Sequence, residues 1–317
     1  MSIALKAFLF VFDLVLPMVA GYLVARWSGL RTESFDRMMT GAIFFVAPPL
    51  ALLSCWVIEI NPALAWLPVL GMGMQIIPGL VGFFRSRFKS HDELERGSYV
   101  VSTILSNRGV VGGLTVFILF GETAYGYSRL IIVLGMVTLY GVCFPLARYF
   151  HASHHEKERD ESLVGILLDK RQVPLIGLAA GFALNAAGLD RPAVLGGVFT
   201  VLVHLLAWML LVPVGASIDL EQMRDYWKDV WDLLPLKFVF TPVVIYLLGR
   251  AVGLEGEVLA TLVILAASPT AINAVITSKL HDLNVHLSMA SFVLTTGTYL
   301  LLVFPAILVF EWLWGTG

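Results

Sequence analysis

The chain has 317 residues, 58% of them hydrophobic and 14% charged, with a mean hydropathy of +0.84; an ordinary soluble domain is roughly 45–50% apolar and about 25% charged. This composition excludes a soluble globular domain and makes the chain an integral membrane protein, so the unit to count is a span of about 20 apolar residues. The net charge of −2 is balanced, with no basic arm or acidic tail, and excludes nucleic acid as a partner.

A sliding window of about 19 residues predicts segments at 5–27, 37–58, 63–84, 98–120, 128–150, 172–188, 193–217, 233–252, 257–279 and 288–312. The fold class is therefore all-α, a polytopic protein of about ten transmembrane helices in the lipid bilayer. The first segment carries Asp13, lacks a small-residue cleavage pattern and has its arginines after the apolar run, so it is expected to be retained rather than removed as a signal peptide. Asp13 is a candidate for a coupling proton or cation, or for a structural partner. In the second and fifth segments Cys55 and Cys143 read as buried small hydrophobes, with no metal and no disulfide expected. In the third, Gly71, Gly73, Gly79 and Gly82 permit close helix approach, and Gln75, like Asn185 further on, reads as a packing or cavity-lining residue.

The fourth segment, "SYVVSTILSNRGVVGGLTVFILF", is interrupted near its middle. From Ser98 to Asn107 the rise is roughly 14 Å at ~1.5 Å per residue, about half of the ~30 Å hydrocarbon layer. An opened backbone is tolerated at that depth only inside protein or beside a water-filled cavity. Ser106 or Asn107 is expected to cap a second half-helix before Gly109. Arg108 is a functional-site candidate by default, because a charge at the bilayer centre costs at least ~2.5 kcal/mol on insertion scales. Three alternatives stay open: contact with an anionic ligand, pairing with a protein carboxylate such as Asp13, or reach toward an aqueous vestibule.

The hydrophilic stretch "HASHHEKERDESLVGILLDKRQ" after the fifth segment reads as a solvated linker rather than a metal site. It divides the chain into a first five-helix repeat at 1–150, a cytoplasmic linker at 151–171 and a second repeat at 172–317. Five spans per half force the second repeat to be inverted. Echoes support this: "LPMVAGYLVARWSGL" answers "VPLIGLAAGFALNAAGL", and "APPL" answers "VPVG". Basic residues crowd the connections after odd-numbered segments, among them Arg85, Arg87, Lys89 and Arg96 after the third, and Arg224, Lys228 and Lys237 after the seventh. This puts both termini outside and those connections in the cytoplasm, with the inner (plasma) membrane as the expected location. His204, in the seventh segment, is expected to be a hydrogen-bonded packing residue, though it could titrate near neutral pH.

The ninth segment, "EVLATLVILAASPTAINAVITSKL", breaks at the place corresponding to the fourth. Ser268 is expected to cap and Pro269 to occupy the first position of a new half-helix. Two half-helix starts approaching one level from opposite sides would make an anion site from backbone N–H groups and positive dipole ends, and a carboxylate would offset the cost of Arg108.

At these breaks the sequence resembles the auxin efflux carrier family, which includes plant auxin exporters and bacterial dicarboxylate permeases. The matching stretches are "LSNRGVVGGLTVFILFGE", "LLVPVGASI" and "AASPTAINAVITSKL". The resemblance implies two inverted five-helix repeats, a scaffold domain and a crossover domain, and substrate bound where helices four and nine cross. It assigns carboxylate recognition to Asn107, Arg108 and Gly109 and to Pro269, Thr270 and Asn273; a homodimer follows from the resemblance alone. Two departures, Arg108 itself and "VVGG" in place of Gly-Leu-Pro, point away from auxin and toward a more strongly anionic substrate.

The function expected is secondary transport of a small organic anion, such as a carboxylate, with Asp13, His204 and Ser268 as coupling or supporting residues and with proton or sodium coupling left open. The rivals are a sodium symporter of the bile acid:sodium type, disfavoured because no acidic residue flanks either break, and a non-transporting receptor. An enzyme is not expected: paired acids and a His-rich set are absent, and His204 and Ser217 lie too far apart on one segment to pair. No cofactor is expected, and no Gly-x-x-x-x-Gly-Lys loop is present for ATP.

Overall fold

The computed structural model describes residues 2–27, 32–89, 92–152, 173–218, 220–221 and 224–314. The linker expected at 151–171 lies, from 153 onward, outside the described residues. Among the described residues the chain is almost wholly helical, with no β-strand. The helices are α1 (Ile3–Trp27), α2 (Glu33–Trp56), α3 (Pro62–Ser86), α4 in two halves, α4a (Glu93–Ile104) and α4b (Arg108–Phe120), and α5 (Glu122–His151). They continue with α6 (Val173–Ala186), α7 (Val194–Ala216), α8 (Leu233–Ala251), α9a (Gly256–Ala266), α9b (Ile272–Leu280) and α10 (Val285–Glu311). Seven of these are long and apolar enough to cross a membrane; α4b, α6 and α9a are shorter apolar helices. Large apolar side chains such as Phe45, Leu80, Leu247, Leu301 and Phe310 are exposed along the spans, as expected where the surrounding solvent is hydrocarbon.

Besides the first turn of α4b, five helices contain one wide turn, in which an N–H reaches the carbonyl five residues back rather than four: Leu16 to Val11, Ala47 to Ala42, Phe144 to Leu139, Thr241 to Leu236 and Phe304 to Tyr299. A proline follows each of these donors, at Pro17, Pro48, Pro145, Pro242 and Pro305. The cause is steric and electrostatic together: proline has no N–H to give, and its ring pushes the carbonyl four residues back out of line. Opening the turn by one residue lets the helix continue past it. Asp13 and Lys237 both lie in such turns.

The chain forms two compact units. One comprises Met1–Leu64, Gly109–Leu130 and Leu167–Ile218. In it two helix pairs meet backbone to backbone. A Cβ at Gly21 of α1 would stand 1.9 Å from the Val212 carbonyl oxygen, and one at Gly215 of α7 would stand 2.0 Å from that of Met18. Gly177 and Gly181 of α6 meet the carbonyls of Pro48 and Leu52 on α2 in the same way. Asn185 then donates from Nδ2 to the carbonyls of Trp56 and Ile58, satisfying the end of α2. Arg191 pairs with both oxygens of Glu122 and also donates to the Leu53 carbonyl, 3.1 Å away.

The other unit comprises Ala65–Arg108, Ile131–Ile166 and Asp219–Gly317. Here α3 lies against α4a and α5 through three of the four expected glycines: Gly71 against the Ile131 carbonyl, Gly79 against Ile104, and Gly82 against Thr103. A Cβ at Gly73 would make only ordinary van der Waals contact, with the side chains of Ile77 and Ile245. Hydroxyls of Ser98, Ser102, Ser278 and Ser288 join α4a, α9b and α10 in one buried network. At the polar end of this unit Asp232, just before α8, accepts from Arg85, from Lys89 at 2.5 Å and from the Tyr99 hydroxyl at 2.7 Å. Burial alone would raise the Asp232 carboxyl, but these hydrogen bonds outweigh it and hold it below its ordinary value.

Candidate functional site

Helices four and nine break where expected, and their breaks pair with each other. Asn107 N–H donates to the Pro269 carbonyl at 2.7 Å, and Ala271 N–H donates to the Leu105 carbonyl at 3.0 Å. Ser106 and Thr270 thus stand opposite one another in a short antiparallel bridge. Each opened backbone satisfies the other, which is how unwound chain survives at membrane depth.

The pairing corrects one expectation. Ser268 does not cap a helix, and Pro269 is not a first helical residue: the ladder holds 269–271 extended, so α9b begins at Ile272 with Ala271 at the cap position and no side-chain cap. The Ser268 hydroxyl is fully buried with no hydrogen-bond partner among the described residues. The Thr270 N–H is taken by the Thr295 hydroxyl of α10 at 2.9 Å, so fewer amides remain unengaged at the ninth break than two bare helix starts would offer. Thr270 is buried, whereas Asn273 is exposed on the first turn of α9b.

At the fourth break Asn107 and Arg108 are buried, and Arg108 opens the wide first turn of α4b. Its side chain is 4% exposed. It donates from Nη2 to the Met74 carbonyl of α3 at 2.7 Å, while its Nε is buried without an acceptor. Among the described residues Arg108 forms no ion pair. The alternative partner, Asp13, is engaged elsewhere: Asp13 Oδ2 lies 2.7 Å from Nδ1 of His204, and Oδ1 is buried without a partner among the described residues. His204 is thus hydrogen-bonded to Asp13, with the rings of Phe12 and Phe117 edge-on to it.

Gly109 begins the stretch that belongs to the other unit, where its carbonyl accepts from Arg129 Nη2 at 2.8 Å. Gly113 makes room for that guanidinium, since a Cβ there would stand 2.2 Å from it. The far end of α4b is capped by Lys6, whose ammonium donates to the Leu119 carbonyl at 2.9 Å.

Sequence reasoning missed Lys237. Counted with the polar connection before the eighth segment, it is in fact 2% exposed inside α8. Its ammonium donates to the Ser106 hydroxyl at 2.8 Å and to the carbonyls of Thr103 and Leu105 at 3.2 and 3.5 Å. It thereby neutralises the negative end of α4a at the break. The signal was present in "LPLKFVF", a lone cation in an apolar run, since a charge at membrane depth marks a candidate site there as it does at Arg108.

The family model described as membrane transport protein matches residues 6–309. No curated protein matches the chain.

Proposed function

The chain is a member of the membrane transport protein family, and on that premise we propose that it is a secondary carrier of a small organic anion, working by alternating access around the paired breaks of α4 and α9. The observation that carries this reading is Arg108, a buried guanidinium with no carboxylate partner among the described residues and an unfilled Nε donor. An unsatisfied buried charged donor costs on the order of 1–3 kcal/mol or more, and a carboxylate ligand would remove that cost with charge-assisted hydrogen bonds. Lys237, buried at the same break and held by the Ser106 hydroxyl and the Thr103 carbonyl, is a second basic side chain an anion would meet there.

In this reading Asn107, Arg108 and Gly109 receive the carboxylate from one side, and Pro269, Thr270 and Asn273 shape the other. The Asp13–His204 pair and Ser268 are supporting groups. The two inverted repeats draw support from the matched glycine contacts, since α1 on α7 and α6 on α2 are the same pair exchanged between halves. They draw support too from the wide turns before Pro145 and Pro305, which occupy equivalent places in α5 and α10. Termini outside the cytoplasm, residence in the inner membrane and assembly as a homodimer belong to the same proposal.

The test is a thermal-shift screen of purified protein against monocarboxylates, dicarboxylates and indole acids, because a ligand that prefers the folded state raises its stability. One anion class should stabilise the wild type and not Arg108→Ala. Equal stabilisation of the folded variant would remove Arg108 from the site. Flux of that anion in proteoliposomes then separates a carrier from a receptor.

A further inference from the structure

Two buried lysines terminate the two halves of α4, and they differ in how they are held. Lys6 meets the Leu119 carbonyl at the end of α4b. Lys237 sits among three converging oxygens, the carbonyls of Thr103 and Leu105 and the hydroxyl of Ser106. No carboxylate forms an ion pair with Lys237 among the described residues, and Arg108 acts on it as a like charge. Its partners among the described residues are thus neutral oxygen dipoles rather than a counter-charge.

That donor set is not specific to an amine. Carbonyls freed where a transmembrane helix unwinds, together with the negative end of its first half, are the means by which a transporter holds an inorganic monovalent cation beside its substrate site. A hydroxyl oxygen completes the same coordination. The wide turn before Pro242 carries Lys237, and the Asp232 hydrogen bond to Tyr99 ties the start of α8 to α4a, so the ammonium is delivered by a helix braced against the one it caps.

We propose that the oxygen cage at the fourth break is a monovalent-cation site occupied by the chain's own Lys237 ammonium. The tethered charge replaces a diffusible sodium or potassium ion, and the carrier runs without coupling to either. The meaning for transport rests on the carrier reading above, but the cage itself does not.

The experiment measures thermal unfolding of the full chain in detergent, without added substrate, in sodium chloride, potassium chloride and N-methylglucamine chloride at equal ionic strength. The wild type should have one Tm in all three. Lys237→Ala should be destabilised in N-methylglucamine and regain about 2 °C or more in sodium or potassium. Lys237→Met, which fills the space without a charge, should be lowered equally in all three. An alanine variant insensitive to the cation overturns the proposal, as does a wild type stabilised by sodium or potassium. If the alanine variant does not fold, Lys237→Ser is read in the same way. Since chloride is the anion throughout, failure here leaves carboxylate binding at Arg108 to stand or fall by its own screen.

Discussion

The fourth and ninth breaks share one backbone ladder but secure their loose ends by opposite means. At the fourth, a lysine from α8 caps the carbonyls and an arginine follows directly. At the ninth, a threonine from α10 takes up an amide, and no charged residue lies between Ala267 and Ala271. Either device satisfies an opened helix, but only the charged one leaves a field behind. In the carrier proposed above, this asymmetry would give attraction of the anion to the fourth break and shape to the ninth.

The largest effect that would break this comparison is on binding. Arg108→Ala should weaken the anion found in the screen by ~100-fold, in line with removal of a buried charged partner, while Asn273→Ala should cost about 10-fold or less; isothermal titration reads both, and reversed magnitudes would put the anion at the ninth break. Next in size is Thr295→Val, which strands the Thr270 amide and should destabilise by about 1–3 kcal/mol, with a Tm loss that added salt does not change. Asp232→Asn loosens the charged brace of α8 and should cost about 1 kcal/mol at pH 7. Because the folded Asp232 titrates below its ordinary value of 3.8, its contribution is complete above that pH and is lost as pH falls through the depressed value. Tm curves of variant and wild type should therefore converge only in strong acid, and convergence near neutrality would contradict the brace. The smallest effect expected is from Ser268→Ala: its hydroxyl has no partner, so stability should move by no more than ~0.5 kcal/mol. A larger loss would mean that this hydroxyl holds the ninth break.

The spans and both breaks were legible because hydrophobic runs, prolines and glycines act locally. The ladder was not, since Asn107 and Pro269 lie far apart in the sequence and meet only in the folded chain. Ser-Pro is a sound local signal for a helix start, and it failed at Ser268 because tertiary hydrogen bonds kept 269–271 extended. Lys237 was lost to averaging: one cation beside five apolar residues and a proline marks the edge of a hydropathy window as readily as its interior. Arg108, with polar neighbours on one side and glycine on the other, was visible for the reason Lys237 was hidden.

The wide turns have a consequence for comparing this chain with its relatives. Each inserts one residue into the helical count, so everything beyond it is rotated by about 100° relative to an uninterrupted helix. A relative that lacks Pro17 or Pro242 should also lack one residue in the turn before it, or else present a different face of α1 or α8 to its neighbours. The proline and the extra residue before it should therefore be gained and lost together across the family, as one evolutionary event.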